Sequence, residues 1–359
     1  MRRRELIEAV IRRENTGSNP FWLGNPADET KSMYAEALGI DGIALEQHRS
    51  ALYTTISGRI DIELAKHTNS DLLWFSPDLV EDCYEHPENK PMWDCLGGEE
   101  RKSLTQAGVF AEVESVAEIE AFDWPDPELI NFDTTLDNVI AAHNEGFAVF
   151  GGMWCPFFHV VADFFGMDNY FMKMHTNPDV VIAVTERVVD FYLAANKRCL
   201  DKMSPYLSAG FFGNDLGSQR NMMIGPQFYG KFVLPYFKKI AKQIKGYGLP
   251  VAIHICGAIW DIIPSLIDIG VDILHPIQAN AEGMAPKRLQ AEFGKDLIFM
   301  GGVDTQELLP FGTVSDVERK VEELRDIFGP NFIVSPSHEC LLPNVSLEKV
   351  MAMSKMAKR

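Results

Sequence analysis

The sequence predicts an α/β protein, a (β/α)8 TIM barrel with an N-terminal helical extension and an inserted lid segment. Short apolar runs alternate with longer helical patterns along most of the chain, which is typical of βα units. Eight such runs fit a closed barrel better than an open sheet. The predicted strands are 20–24, 71–76, 147–152, 210–215, 250–257, 271–276, 297–302 and 332–336.

Helix signals fill the gaps between the later strands. Asn177 followed by Pro178 predicts a helix start, because it combines a capping residue with a proline in the first turn. Thr313 with Asp316 predicts another start, and Gly329 predicts the end of that helix. The longest gap, 80–135, is rich in charge and proline and is predicted to form the lid. One domain over residues 1–359 is expected.

Composition restricts the function classes. The formal net charge of −18 argues against a nucleic-acid partner, because phosphates would be repelled. No apolar run approaches the roughly 18 residues that cross a bilayer, and the N-terminus has no signal-like run. We therefore expect a cytoplasmic protein without a membrane partner. The oligomeric state stays open, a homodimer included.

The six cysteines are spread along a chain long enough to bury its own core, so free thiols or metal ligands are favoured over disulfides. They are Cys83, Cys95, Cys155, Cys199, Cys256 and Cys340.

The sharpest motif is His254-Ile-Cys256-Gly at the end of the fifth predicted strand. Residues i and i+2 of a strand point to the same face, so His254 and Cys256 project together. Imidazole and thiolate suit zinc, and Cys340, after the eighth strand, is the predicted third ligand. Three ligands leave a position open, as expected of a catalytic site. The alternative is a packed histidine and a buried thiol.

The C-terminal half resembles the uroporphyrinogen decarboxylase superfamily, and in detail its corrinoid-dependent zinc methyltransferase branch. The motifs that carry the resemblance are Asn214–Gln219, His254–Gly257, Gly270–Gln278, Gly301–Thr305 and Ser335–Cys340. The resemblance implies a (β/α)8 barrel. It also implies zinc on the His-x-Cys pair and the later cysteine, which fall on His254, Cys256 and Cys340.

Two departures separate the chain from the decarboxylases of that superfamily. Their Arg-rich N-terminal motif, which grips a substrate with many carboxylates, is replaced here by Pro20–Tyr34, which contains no arginine. Their Gly-His-Gly near the last strand is replaced by Ser337–Cys340. A metal-free decarboxylase is therefore the second hypothesis, and a non-enzymatic binding module is the third.

The resemblance implies methyl transfer between a small-molecule donor and a corrinoid. Because the chain lacks an Asp-x-His-x-x-Gly corrinoid signature, the corrinoid is expected on a separate partner protein. The preferred direction runs from a methoxylated, aromatic substrate to Co(I), with zinc on the ether oxygen. A methylcobamide:thiol methyltransferase, of the coenzyme M type, is the alternative.

Further candidates lie near the predicted barrel mouth. Asp215 is a candidate catalytic residue, as a ligand or as an acceptor for His254, with a structural cap as the alternative. His338 is a candidate proton donor, or an anchor for its loop. The predicted substrate contacts, each with a purely structural alternative, are Trp22, Trp154, Phe157, Gln219, Gln278 and Asp304.

Overall fold

A computed structural model describes residues 2–40, 47–49, 54–56, 58–79 and 83–359. An antiparallel hairpin, β1 (Gln47–Arg49) with β2 (Thr54–Ile56), precedes a curled parallel sheet of seven strands. The sheet runs in chain order: β3 (Leu72–Phe75), β4 (Ala148–Gly151), β5 (Ala209–Gly213), β6 (Val251–His254), β7 (Ile273–Ile277), β8 (Ile298–Val303) and β9 (Phe332–Pro336). The architecture is consistent with a TIM-like barrel.

Helices fill the connections between successive strands, as parallel neighbours require. In the described ranges they are α1 (Arg3–Ile11), α2 (Asp28–Leu38), α3 (Arg59–Thr68), α4 (Val116–Glu120), α5 (Asp133–Asn144), α6 (Phe157–Phe165), α7 (Met167–Thr176), α8 (Pro178–Met203), α9 (Pro226–Phe232), α10 (Leu234–Gly246), α11 (Ile263–Asp268), α12 (Pro286–Phe293), α13 (Leu308–Phe311), α14 (Val314–Phe328) and α15 (Leu347–Ala357). Every one of them is too short or too polar to span a bilayer.

Both predicted helix starts are confirmed, with one difference in detail. The Thr313 side chain accepts a hydrogen bond from the Asp316 backbone, and Gly329 ends α14. Helix α8 begins at Pro178, but the Asn177 side chain makes no capping hydrogen bond. The proline and the dipole-favoured acid that follows it therefore mark that start.

Seven of the eight predicted strands appear in the sheet, and the first run, 20–24, contributes a single parallel bridge from Phe21 to Val334. On the other side, the backbone N–H of Asp71 donates to the Phe21 carbonyl at 2.7 Å. The Phe21 N–H donates to the Asp71 carboxylate at 2.8 Å rather than to a neighbouring carbonyl. A side chain thus replaces a ladder hydrogen bond, and the run is too short to count as a strand.

The core has an inner and an outer layer because the parallel strands are buried on both faces. Helix α1 adds Ile7 and Val10 to the inner cluster, which also contains Trp22, Phe150 and Phe211. The outer layer packs the helices against the sheet.

The predicted lid segment is described from residue 83 onward, and 80–82 lie outside the described residues. It is mostly turns, with α4 as its one α-helix in that described part. The Trp93 indole donates to the Tyr192 hydroxyl at 3.0 Å, which ties the segment to α8. Its role as a lid stays a prediction.

Asp71 is predicted to join the first run to the sheet, since its buried carboxylate also pairs with Lys358. We expect Asp71→Ala to lower the free energy of unfolding by about 2–4 kcal/mol, because it leaves Lys358 and the Phe21 N–H unpaired. The exposed Asp326 is the matched control, and Asp326→Ala should change stability by less than about 0.5 kcal/mol. Urea denaturation measures both, and equal effects would contradict the role.

Candidate metal centre

Three neighbouring strand ends surround His254, one of the predicted ligands. His254 is the last residue of β6, and in the sheet register it lies opposite Gly213 of β5 and His275 of β7. Cys256 follows two residues later, with its Sγ 3.3 Å from Nε2 of His254. The same-face prediction for this pair is therefore reproduced in the structure.

Both ring nitrogens of the buried His254 have polar neighbours. Nε2 lies 3.1 Å from Oδ1 of Asp215 as well as beside Cys256. Nδ1 lies 3.1 Å from Nδ1 of His275 and 3.4 Å from Oε2 of Glu339. The imidazole therefore stands between two sets of donor atoms, one on each side of the ring.

Charge dominates the ionisation of this cluster. Burial lowers the pKa of His254, but the charge of Glu339, together with the contacts of His254 with Cys256 and Asp215, outweighs burial and raises that pKa well above its usual value. Burial also acts to raise the pKa of Asp215. The hydrogen bond and the charge of His254 outweigh burial and lower the pKa of Asp215 well below its usual range. Burial raises the pKa of Cys256 to about 11. The site therefore favours positive charge at its centre.

Asp215 also fixes the backbone around the centre. Its Oδ1 accepts the Cys256 N–H at 3.1 Å, and its own N–H donates to Nε2 of His159 at 3.1 Å. The predicted roles of Asp215, as an acceptor for His254 or as a ligand, are both compatible with this position.

Cys340 and His338 lie in the loop that follows β9 and line the same cavity as His254 and Cys256. Cys340 is half-buried and stands outside the two donor groups whose ligand atoms all lie within 4.8 Å of one another. The Nδ1 of His338 accepts the Cys340 N–H at 3.1 Å, so a neutral His338 ring carries its proton on Nε2.

A cavity of about 670 Å³ opens over these residues. Trp154 and Trp74 form one wall, with ring centroids 4.7 Å apart, and the Trp154 ring lies 5.2 Å from the His254 ring. The other apolar side chains of the wall are Pro26, Ala27, Leu104, Pro156, Met167, Met223 and Leu342. Of the predicted aromatic contacts, Trp154 therefore faces the cavity.

Two other predicted aromatic contacts are placed in the core and not in this described wall. Trp22 lies inside the sheet, where its ring packs 5.1 Å from His275. Phe157 begins α6 and packs against Tyr236 and Phe237 with ring centroids 5.7 Å away.

The predicted polar contacts hold loops around the centre. Gln278 accepts the Gly257 N–H at 2.9 Å, which fixes the turn after Cys256. Asp304 caps the start of α13 and accepts a hydrogen bond from Asn280 at 2.8 Å. Gln219 is exposed, and its side chain does not contribute to the described wall.

Sequence reasoning missed Glu339 and Asp78. Glu339 stands between the predicted His338 and Cys340, and an acid beside two candidate site residues was an available signal. The half-buried Asp78 accepts the backbone N–H groups of Trp154 at 2.6 Å and Cys155 at 3.1 Å, so it holds the turn that carries Trp154. Asp78 is far from Trp154 and Cys155 in the sequence, so no local sequence pattern indicated this contact.

The donor set fits zinc. One group of donors is Asp215, His254 and Cys256, and the other is His254, His275 and Glu339. Nitrogen, thiolate and carboxylate are the ligands that zinc takes in proteins. Within the described chain, Oε2 of Glu339 is buried without a hydrogen bond of good geometry, which is unusual unless a cation or donor is expected nearby.

The comparison with known families decides which family the chain belongs to. A model described as uroporphyrinogen decarboxylase (URO-D) matches residues 103–359. The chain belongs to this family. The resemblance stated from the sequence is thus confirmed. The predicted metal and catalytic residues lie within the matched range: Asp215, His254, Cys256, His338 and Cys340.

Curated members of the family show two activities in their names. The chain is 25% identical over 207 residues to a methylcobamide:CoM methyltransferase, MtbA, of Methanosarcina mazei, which covers 58% of each chain. It is 25% identical over 166 residues to a methylated-thiol–coenzyme M methyltransferase of the same organism, over 46% of this chain and 42% of that one. It is 27% identical over 162 residues to human uroporphyrinogen decarboxylase, over 42% of each.

The chain therefore spans between 42% and 58% of the length of these curated relatives. A solved structure described as a methyltransferase from Methanosarcina mazei superposes with a TM-score of 0.70 at 13% identity, over 99% of this chain and 98% of that one. At that identity the likeness shows the fold alone, and it covers nearly the whole chain.

Gly24 is predicted to set the position of the loop that carries Glu339 and Cys340. Its φ is +91°, and a Cβ there would lie 2.5 Å from the Glu339 carbonyl oxygen. We expect Gly24→Ala to destabilise the chain by more than about 2 kcal/mol and to speed the labelling of Cys340 by a thiol reagent.

The control for this prediction is Gly17, whose φ is +73° with nothing within 4 Å of a Cβ. Gly17→Ala should cost only about 1 kcal/mol of backbone strain and leave Cys340 labelling unchanged. If the two variants behave alike, the contact between Gly24 and Glu339 does not hold the loop.

Proposed function

We propose that the chain is a zinc-dependent methyltransferase that moves a methyl group between a small molecule and the corrinoid of a separate protein. His254, Cys256 and Cys340 would hold the zinc. The observation that carries the proposal is the 3.3 Å approach of Nε2 of His254 to Sγ of Cys256 at the base of an apolar cavity. Family membership and the names of two relatives support the same reaction class.

Zinc bound there supplies a Lewis acid for the heteroatom that carries the methyl group. The surrounding residues do the rest. Asp215 keeps His254 and the Cys256 backbone in place through one carboxylate oxygen. His338 holds a proton on Nε2, because its Nδ1 accepts the Cys340 N–H, and is placed to give it to the leaving heteroatom.

A methoxylated aromatic compound is the methyl donor that the cavity favours. The tilted Trp74 and Trp154 rings offer an aromatic wall next to His254. In this direction the methyl–oxygen bond would break as the methyl group passes to Co(I) of the partner's corrinoid, and the phenolate that leaves would take the proton held by His338. The apolar wall keeps water away from this step.

Transfer to a thiol is the second candidate, and the names of two Methanosarcina relatives favour it. In that direction a thiol held at the centre would accept the methyl group from a methylated corrinoid. An anionic thiol such as coenzyme M calls for a cationic side chain near its acidic group. The described part of the cavity wall contains no lysine or arginine, which favours a neutral substrate.

The same wall disfavours decarboxylation, the activity named for the human relative. A substrate with many carboxylates needs several guanidinium or ammonium groups within reach. Histidines are the basic side chains of the described wall, and His254 is engaged on both ring nitrogens.

Metal content tests the proposal directly. Protein purified without added zinc is expected to contain about one zinc per chain, and Cys340→Ala to lose most of it. Loss of a residue that only supports a metal ligand typically lowers activity by roughly 10–100-fold. In Cys340→Ala, the rate of methyl transfer from methoxylated aromatics to Co(I) should fall by more than that. Metal analysis and the absorbance change of the corrinoid measure the two effects.

Cys199 provides the matched control, because it is buried in α8 and does not line the cavity. Cys199→Ala should keep both the zinc and the activity. If the wild-type protein contains no zinc, the proposal is wrong. If only thiols are turned over, methyl transfer runs from the corrinoid to the thiol and not in the proposed direction.

Trp154 is predicted to bind the aromatic ring of the donor. We expect Trp154→Ala to raise KM by about tenfold or more with a smaller change in kcat, because stacking acts on ground state and transition state alike. Phe311→Ala is the control, since Phe311 is 76% exposed and lies outside the cavity. Steady-state kinetics decide, and an unchanged KM in Trp154→Ala would place the ring elsewhere.

A further inference from the structure

Glu339 places a carboxylate inside the candidate metal centre. Its side chain is 13% exposed, and Oε2 lies 3.4 Å from Nδ1 of His254 and 3.7 Å from Nδ1 of His338. Within the described chain this oxygen is buried and makes no hydrogen bond of good geometry. A buried carboxylate oxygen without a donor is costly, so its position calls for a role.

The direction of the His254 ring suggests that role. Nε2 faces Sγ of Cys256 at 3.3 Å, whereas Nδ1 points away from Cys256 and toward Glu339. A histidine that gives one ring nitrogen to a metal usually donates the N–H of the other to a carboxylate or carbonyl oxygen. The two sides of this ring match that division.

We propose that Glu339 is the positioning residue of the metal centre, which accepts the Nδ1–H of His254 and so presents Nε2 beside Cys256. This inference rests on the proposed function. It adds a residue that the zinc ligand set does not include. Glu339 would act through His254 without touching the substrate.

His275 is the other neighbour of Nδ1, and at 3.1 Å it is closer than Glu339. An imidazole carries no negative charge, so His275 can share the proton on Nδ1 but does not balance the charge of a metal-bound histidine. Glu339 is the charged group on that side of the ring.

Backbone contacts hold Glu339 in place. Its carbonyl accepts the Asn25 N–H at 2.9 Å, and two residues later the Leu341 carbonyl accepts the Ala27 N–H at 2.9 Å. The loop is therefore tied on both sides of Cys340 to the segment that precedes α2. Such a support shell is what a precise metal ligand requires.

The test compares metal affinity in Glu339→Gln, Glu339→Asp and Glu282→Gln. Chelator competition with zinc is expected to show affinity lowered by about 10–100-fold in Glu339→Gln and less in Glu339→Asp. Glu282 is exposed in the loop after β7, so Glu282→Gln removes the same charge without touching His254 and should bind zinc like the wild type. Denaturation in a chelator should show Glu339→Gln unfolding in one cooperative transition like the wild type, so that its weaker zinc binding does not come from an unfolded chain.

The outcomes separate this inference from the proposed function. If the wild type binds no zinc, the proposed function fails and the inference fails with it. If the wild type binds one zinc and Glu339→Gln binds it equally well, only the inference is overturned. Two ions in the wild type and one in Glu339→Gln would also overturn it, since Glu339 would then be a ligand.

Discussion

The buried His254 ring, with acceptors on both sides, is the constraint on which the site depends. Asp215 occupies the Nε2 side, and His275 with Glu339 occupies the Nδ1 side. A ring held at both nitrogens keeps one orientation, which a precise ligand needs. Two carboxylates beside one buried imidazole also favour positive charge between them, because a nearby opposite charge stabilises the ionised form of each group.

The barrel delivers this arrangement through strand register. Gly213 lies opposite His254, and a Cβ at Gly213 would come within 2.5 Å of the Trp154 ring and 2.7 Å of the Cβ of His254. A glycine there therefore lets an aromatic wall and a metal ligand share one strand end. Asp78 completes the arrangement from a third strand end, because it holds the Trp154–Cys155 turn through two backbone N–H groups.

Local rules explain what the sequence could predict. The spacing of two residues predicted that His254 and Cys256 project together, because it depends only on the local backbone at the end of β6. The contact of Nδ1 with Glu339 depends on the path of a loop from another strand, which no local pattern encodes. The substrate contact predicted for Trp22 failed for a related reason. An aromatic residue at a strand end faces either the core or the cavity, and Trp22 packs in the core against His275.

The family match and the cavity divide the site into two parts. The donor atoms of the centre lie in residues 103–359, the range that the family model matches. Trp74 and Pro26, which line the cavity, lie before it. The cavity wall therefore combines residues from inside and outside the matched range. The N-terminal segment also holds the backbone of Glu339, so the part of the chain that shapes the substrate side supports the metal side as well.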